Sequence, residues 1–304
     1  METINMYGKQ RDLFEKYNNQ GKKNHKKRCF LLEKKAREIK IDVIKMCYEV
    51  GPKRKAHPGG ALSAADIVVA LYFDIMRIDP SNPDWKERDR FILSKGHACP
   101  VLYAALANLG YFDKKQYKSL RRVGGMLQGH PDMRKIPGVD MTTGSLGNGL
   151  SAGIGMALSA RVDKKNYRVF VLLGDGECDE GIVWEGVMTA SKYKLDNLIA
   201  IVDMNGLQSC GTVKSIMPTD SLIDKWRSFG WNTIEINGHN MSEIIFGLEL
   251  ASSYTSKPSV IIAHTVKGKG VSFMENDNAW HQKALSKEQY EQAIKEIKGA
   301  KQNV

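Results

Sequence analysis

Two oxygen-bearing side chains carry the strongest sign of chemistry in this 304-residue sequence. Asp175 lies in VFVLLGDGECDEGIVWE (169–185), between two glycines and directly after an apolar strand, and Asn205 follows the next apolar strand, LIAIVD. A glycine-rich turn after a strand often binds a phosphate, but a carboxylate repels a phosphate unless a cation lies between them. Because carboxylate and amide oxygens suit Mg²⁺ or Ca²⁺, the pair predicts a cation between protein and diphosphate. Taken singly, each residue also fits an ordinary turn.

The elements that must position this pair indicate an α/β fold. Strands are predicted at 90–94, 168–173, 198–203, 232–236 and 259–265, and helices at 31–50, 64–76, 100–110, 150–160, 180–193, 220–229, 241–253 and in the tail. Ser63 is expected to cap the helix 64–76. The alternation predicts a mostly parallel, twisted sheet with helices on both faces, which binds ligands beyond the carboxyl ends of its strands. We expect residues 1–30 to be a basic extension, weakly structured over residues 1–28, and residues 31–304 to be one domain.

The charge of the chain is concentrated at its start. The formal net charge is +11, of which residues 1–40 carry +7, from twelve Lys and Arg against five Asp and Glu. No aromatic RNA-binding motif or zinc spacing accompanies this basic arm, so we expect no nucleic-acid partner. No apolar run is long enough for a membrane span, and the five scattered cysteines suit a reducing compartment. The sequence therefore predicts a cytoplasmic protein without a membrane partner.

Several ordered motifs show what kind of protein this is. They are AHPGG (56–60), LSKGHA (93–98), GHPD (129–132), TTGSLGNGL (142–150), GDGECDEGIVWE (174–185), DNLIAIVDMNGLQ (196–208), DKWRSFGW (224–231) and GKGVSFMENDNAWHQKA (268–284). In this order they resemble transketolases, over roughly residues 31–285. The similarity is to the N-terminal, diphosphate-binding half, which split transketolases carry as a separate subunit. The resemblance implies the thiamine-diphosphate-binding fold, thiamine diphosphate as cofactor and Mg²⁺ as its metal, with Ca²⁺ or Mn²⁺ as substitutes.

The resemblance gives roles to four histidines in Gly- or Pro-rich loops. By it, His57 and His130 face the sugar hydroxyls and the reaction intermediate, whereas His97 and His281 contact the diphosphate and the reaction centre. Imidazoles suit this chemistry, because ketol transfer moves protons between oxygens near neutral pH. We therefore expect these four histidines to be the catalytic residues.

The resemblance also implies a set of cofactor and metal contacts. The cofactor contacts are His97, Gly144, Ser145, Leu146, Gly174, Asp175, Gly176, Glu177, Glu180, Asn205 and His281, and the metal ligands are Asp175, Asn205 and the Leu207 carbonyl. In this scheme the Gly144 carbonyl holds the 4′-amino group, and Leu146 supports the V-shaped conformation of the cofactor. The Gly176 amide meets the diphosphate, and Glu180 joins a buried acidic network.

The activity implied is transfer of a two-carbon ketol unit from a ketose to an aldose, with sugars or sugar phosphates as substrates. In the family, a glutamate from a pyrimidine-binding domain activates the cofactor. The sequence ends about twenty residues after His281, so we expect the partner to be a C-terminal transketolase subunit, in an α2β2 assembly. Alternatives are a 1-deoxyxylulose-phosphate-synthase-like or sulfo-sugar reaction, and a non-catalytic scaffold.

The sequence departs from the family pattern beside the first motif histidine. PKRKAH (52–57) replaces the usual small residues and glycine, so Lys53, Arg54 and Lys55 either contact an anionic substrate or are solvated. Met204 and Asn148 also differ from the usual residues, but neither is a metal ligand. A dinucleotide site is disfavoured, because GSLGNG (144–149) has its glycines in the wrong order and follows a loop.

Overall fold

The computed structural model describes residues 10, 13–14, 17, 22–218 and 221–300, and it confirms the α/β class. In this part of the chain, five strands form one parallel sheet in the order β1-β2-β3-β5-β4. The strands are β1 (Arg90–Leu93), β2 (Val169–Gly174), β3 (Leu198–Met204), β4 (Asn232–Asn237) and β5 (Ser259–His264). Each strand lies within two residues of its predicted position.

The sheet is covered on both faces, as predicted. Phe170 and Leu172 of β2 pack into one apolar cluster, and their neighbours Val171 and Leu173 pack into a second. Successive side chains of a strand point to opposite faces, so these two clusters are the two sides of the sheet. The central strands are therefore apolar almost throughout, as expected for a parallel sheet buried between helices.

Helices connect the strands and fill both layers. They are α1 (Lys22–Glu49), α2 (Pro58–Ser63), α3 (Ala65–Ala70), α4 (Cys99–Leu109), α5 (Asn148–Val162), α6 (Gly181–Lys192), α7 (Val213–Ile216), α8 (Leu222–Ser228), α9 (Met241–Ser253) and α10 (Lys287–Gly299). Gly110 ends α4 in the left-handed conformation, and Asn240 caps α9 by accepting from two backbone amides. No helix in the described ranges is long and apolar enough to cross a membrane.

The start of the chain is more ordered than predicted. Helix α1 begins at Lys22, so the prediction of weak structure is wrong for residues 22–28. Arg28 explains the difference, because its guanidinium pairs with Asp74 and with Glu249 at 2.7 Å and ties this part of α1 to the rest of the fold. Most of the predicted extension before residue 22 lies outside the described residues.

Residues 58–75 form two short helices and a π-helical turn, where a single capped helix was predicted over 64–76. Helices α2 and α3 are followed by a π-helical turn at Leu71–Ile75. Ser63 is wrong as a cap, because its buried hydroxyl donates instead to Asp203 Oδ2 at 2.5 Å and to the Gly60 carbonyl at 3.1 Å. Ser63 thus links α2 to the carboxyl end of β3, where the candidate site lies.

Candidate cofactor site

A cavity lies at the carboxyl edge of the sheet, where open α/β sheets bind their ligands. Gly174 of β2 pairs in register with Asp203 of β3, so the residues that follow these two strands converge at one point. Nine of the predicted site residues line this cavity: His97, Leu146, Gly174, Asp175, Gly176, Glu177, Asn205, Leu207 and His281. The structure therefore brings most of the sequence-predicted site together.

Asp175 is held rigidly in the wall of the cavity. Its Oδ1 accepts from the Gly176 amide at 2.8 Å, and its Oδ2 accepts from the Gly206 amide at 2.5 Å. Burial, together with the charge of Asp203, raises the pKa of this carboxyl to about 6. A buried carboxylate that faces another carboxylate is a position that a cation would stabilise.

Asn205 and Leu207 supply neutral oxygens close to this carboxylate. Asn205 Nδ2 donates to Asp203 Oδ2 at 3.3 Å, and Asn205 Oδ1 accepts from the Leu207 amide at 3.1 Å. The described residues contain no group of three or more His, Cys, Asp or Glu side chains that could hold a metal. A cation here would have one carboxylate and neutral oxygens, so anionic oxygens of a ligand would have to complete its shell. The donor set therefore fits a cation shared with a diphosphate.

The turn after β2 has room for such a ligand only because residue 176 is glycine. A Cβ atom at Gly176 would lie 2.5 Å from Gln208 Cγ, and Gln208 also lines the cavity. The side chain of Gln208 is itself held by Asp179. A side chain at residue 176 would therefore press Gln208 toward the space that the ligand needs.

Two buried lysines, which the sequence reasoning missed, bring positive charge to the cavity. Lys95 pairs with Asp203 and donates to the Gly60 carbonyl at 3.1 Å. Lys267 donates to the Leu207 carbonyl at 3.0 Å and to His281 Nδ1 at 3.0 Å, and burial together with Lys95 lowers its pKa to about 8. Both lysines are at most 3% exposed. Lys95 has Asp203 as its acid partner, whereas Lys267 pairs with no acid among the described residues, and a buried cation of this kind beside a cavity indicates an anionic ligand.

A signal for each lysine was present in the sequence. Lys95 lies within the LSKGHA motif, two residues after the end of β1. Lys267 comes three residues after β5 and is followed by glycine. Lysine beside glycine at the carboxyl end of a parallel strand is an anion-binding pattern that histidine and carboxylate motifs alone do not reveal.

Three of the four predicted histidines form one cluster. The ring centroids are 5.2 Å apart for His57 and His97, 5.3 Å for His57 and His281, and 5.0 Å for His97 and His281. Burial and neighbouring positive charge lower the pKa of His57 to about 3 and that of His281 to about 4, and they lower the pKa of His97 as well. All three are therefore neutral near pH 7 and can accept protons.

His57 and His130 differ in burial and in their contacts. His57 Nδ1 is buried and has no hydrogen-bond partner, which marks a position where a ligand hydroxyl could bind. His130 is exposed and separate from the three-histidine cluster, and its ring lies against Gly144, 3.3 Å from where a Cβ would stand. The structure thus places His130 beside the predicted cofactor loop.

A second cavity, of about 490 Å³, accounts for two further predicted residues. Gly144 and Ser145 line it, together with Thr143 and Asn148. Leu146, which comes next in the chain, lines the first cavity. The loop 143–148 therefore runs between the two cavities, as a loop supporting the bend of a two-ended cofactor would.

Glu180 and Glu177 differ in burial in this single chain. Glu180 is exposed at the N-terminus of α6 and makes no side-chain capping bond, so its place in a buried acidic network stays a prediction. Glu177 is buried: it bonds the Ser94 hydroxyl and accepts from the amides of Gly147 at 2.8 Å and Gly174 at 3.0 Å. Burial raises its pKa. Two residues separate these glutamates, and the tight turn 176–179 turns only the first one inward.

The fold and the site together define an α/β domain built to hold an anionic cofactor at the carboxyl edge of a parallel sheet. A family model described as the thiamine diphosphate binding domain of transketolase matches residues 34–303. The 6-deoxy-6-sulfo-D-fructose transketolase subunit of Clostridium sp. (strain MSTE9) is 48% identical over 249 residues, which cover 82% of this chain and 90% of that protein. A subunit of the apulose-4-phosphate transketolase of Phocaeicola vulgatus is 44% identical, over 83% of this chain and 90% of that one.

Solved structures agree with these sequence relatives. Transketolase from Leishmania mexicana superposes with a TM-score of 0.82 at 28% identity, over 88% of this chain and 41% of that chain. This chain belongs to the transketolase family, as a member that corresponds to the thiamine-diphosphate-binding part. It spans about two fifths of the full-length enzyme but nine tenths of the relatives that are named as subunits.

Proposed function

We propose that this protein is the diphosphate-binding subunit of a two-subunit transketolase, which moves a two-carbon ketol unit from a ketose to an aldose. The observation that carries the proposal is the meeting of three neutral histidines with the Asp175–Asn205 pair at one edge of the sheet. The histidines suit proton transfer, and the Asp175–Asn205 pair suits a cation-bound diphosphate. Membership of the transketolase family supports the same reading.

The residues present fit thiamine diphosphate and a divalent cation. Asp175, Asn205 and the Leu207 carbonyl would hold the cation, which we propose to be Mg²⁺. The Gly176 amide, which donates to Asp175 Oδ1 in this structure, would turn to the diphosphate when that carboxylate binds the cation, while Lys95 and Lys267 would add positive charge beside it. When bound, the thiazolium ring of the cofactor supplies the carbanion chemistry that breaks and forms the ketol C–C bond.

The histidines would move the protons of this reaction. A sugar hydroxyl must lose a proton when the C–C bond breaks and regain one when the new bond forms. His57 presents an unpartnered Nδ1 on a neutral ring, which can accept a hydrogen bond from that hydroxyl and so help its proton to leave and return. The Nδ1 atom of His281 is bonded to Lys267, which fixes the orientation of the ring, and the ring centroid lies 5.3 Å from that of His57 and 5.0 Å from that of His97.

A partner chain would complete the enzyme. Two relatives carry the word subunit in their names, and those names specify anionic sugars, a sulfofructose and a sugar phosphate. We infer that this chain likewise acts on sugars that bear an acidic group. We also infer that a pyrimidine-binding subunit supplies the glutamate that activates the cofactor, in an assembly of two copies of each chain.

Activity with and without the partner tests the proposal. The chain is purified alone and also co-expressed with a C-terminal transketolase subunit, and each preparation is assayed with thiamine diphosphate, Mg²⁺, fructose 6-phosphate and an aldose phosphate. We expect ketol transfer only from the pair, and loss of at least about 100-fold in turnover with His57→Ala. Absence of transfer from the pair with phosphorylated and sulfonated ketoses alike would contradict the proposed function.

A further inference from the structure

We propose that His239 positions Lys267 for the diphosphate of the cofactor, through a hydrogen bond to the backbone amide of the preceding residue, Val266. Lys267 lines the cavity and, within the described ranges, forms no pair with an acid. His239 does not line the cavity, so its effect on the site has to pass through the main chain. The proposal rests on the proposed function, since it concerns the same cofactor.

Asp66 fixes the orientation of the His239 ring. Its Oδ2 accepts from His239 Nδ1 at 2.7 Å, and its Oδ1 lies 2.9 Å from Lys40 Nζ. The side chains of these three residues are at most 13% exposed. Burial alone would raise the pKa of Asp66, but Lys40 and His239 lower it to about 2. The ionised carboxylate can only accept hydrogen bonds, so His239 Nδ1 carries a proton.

The other ring nitrogen of His239 reaches the main chain after β5. The backbone amide of Val266 donates to His239 Nε2 at 2.9 Å. Because a backbone N–H can only donate, Nε2 holds a lone pair, and the bond from Nδ1 to Asp66 requires the same tautomer. The two contacts therefore support one state of the ring and hold it between α3 and the segment that follows β5.

A glycine allows His239 to come this close to Val266. The amide of Gly238 donates to the His264 carbonyl at 2.8 Å. A Cβ atom at residue 238 would clash with the Thr265 side chain and lie 3.1 Å from the His264 carbonyl oxygen. The chain after β4 thus passes directly against the end of β5, and His239 is the first side chain beyond this contact.

Lys267 directly follows the amide that His239 holds. Its Nζ donates to the carbonyls of Leu207 and Gln208 at 3.0 and 3.2 Å, and to His281 Nδ1 at 3.0 Å. Hydrogen bonds depend on direction and distance, so these contacts require a fixed main chain at residue 267. Loss of the bond to Val266 would let the main chain shift, and the ammonium group would move away from its place beside the cavity.

Replacing His239 by asparagine and by glutamine separates its two contacts. The asparagine amide ends near the place of Nδ1, so it can bond to Asp66 but cannot reach Val266, whereas the glutamine amide ends near the place of Nε2. Each variant is prepared as the two-subunit enzyme with Mg²⁺ and titrated with thiamine diphosphate by calorimetry. His239→Asn should weaken binding about 5- to 20-fold, because the Val266 amide loses its acceptor, and His239→Gln should stay within about twofold of wild type.

A double-variant cycle shows whether the effect passes through the lysine. In the Lys267→Ala background, His239→Asn should change the affinity for thiamine diphosphate by less than about twofold, since the group that His239 positions is already absent. His264→Asn is the matched control. His264 also lies at the ends of β4 and β5 and bonds to a carboxylate, Glu235 at 2.5 Å, but its side chain is 49% exposed. This control should stay within about twofold in both backgrounds.

Three results would overturn the role of His239. They are wild-type affinity in His239→Asn, equal losses in His239→Asn and His239→Gln, and a loss from His239→Asn that is as large without Lys267 as with it. The third result would indicate a general defect of the fold, which thermal unfolding of each variant records separately. Because these readouts need no turnover, a pair that binds thiamine diphosphate as expected but transfers no ketol unit would contradict the proposed function and not the role of His239.

Discussion

Replacing Lys95 by methionine should separate the structural role of the buried lysine from its role in holding the cofactor. Asp203 is fully buried and bonds to Lys95, Ser63, Thr265 and Asn205. Methionine preserves the length of the side chain but leaves the Asp203 carboxylate without its cation. Breaking a buried ion pair by removing one partner costs about 3–5 kcal/mol of the free energy of unfolding.

The loss of stability expected for Lys95→Met is large enough to measure in two ways. Equilibrium urea unfolding should show a free energy of unfolding lower by about 3–5 kcal/mol, and thermal unfolding a midpoint lower by about 6–15 °C. Lys165→Met is the matched control, since Lys165 and Glu87 form a surface pair at 3.6 Å that should contribute less than about 1 kcal/mol. The double variant Lys95→Met/Asp203→Asn should recover part of the lost stability, because neither charge is then left unpaired.

Cofactor affinity should not follow stability in this series. Lys95 lines the cavity, so both Lys95→Met and the double variant should bind thiamine diphosphate more weakly than wild type in calorimetry. The reasoning is refuted if Lys95→Met loses no more stability than Lys165→Met. It is refuted equally if the double variant recovers cofactor affinity together with stability.

Three further predictions address single residues of the site. Gly176→Ala should weaken thiamine diphosphate binding at least about tenfold by calorimetry, because the new Cβ would lie 2.5 Å from Gln208 Cγ. Unchanged affinity would show that Gln208 moves aside at no cost. His130→Ala should lower turnover or raise the KM of the sugar while the cofactor stays bound, and a collapse of cofactor affinity would mean that its role is misassigned. The free energy of unfolding should fall as the pH is lowered from about 6.5 toward 4. The reason is that His57, whose pKa is lowered to about 3, stays neutral in the folded protein but takes up a proton in the unfolded chain. His57→Gln should flatten that slope, and an equally steep profile would exclude His57 as its source.

Strands and their ends were the most predictable part of this molecule. Buried parallel strands are continuous apolar runs, so β2 and β3 could be located from the sequence, and with them Asp175 and Asn205 at adjacent strand ends. The start of α1 was not predictable from apolar spacing, because charged and polar residues fill its first turns and its anchoring depends on the distant Glu249. Long-range ion pairs leave no periodic signal in the sequence.

The buried polar side chains around the cavity were predicted least well. Ser63 fits the local rule for a helix start, but a tertiary contact decided otherwise. Ser63 bonds to a carboxylate 140 residues away, and the turn 176–179 buries Glu177, which bonds to Ser94 and to two backbone amides. Lys95 lay inside a recognised motif, yet only the structure shows that its charge is buried against Asp203. Such networks join residues from separate elements, so their partners become visible only when the fold is known.

The central claim is that a divalent cation joins Asp175 to the diphosphate of the cofactor, and metal-dependent calorimetry tests it most directly. Thiamine diphosphate is titrated into the two-subunit enzyme with Mg²⁺ and again with EDTA, using wild type, Asp175→Ala and Asp84→Asn, the last as an exposed control before β1. The account predicts strong binding that requires Mg²⁺ in wild type and in Asp84→Asn, and loss of that binding in Asp175→Ala. Equal affinity in EDTA and in Mg²⁺, or unchanged affinity in Asp175→Ala, would contradict it.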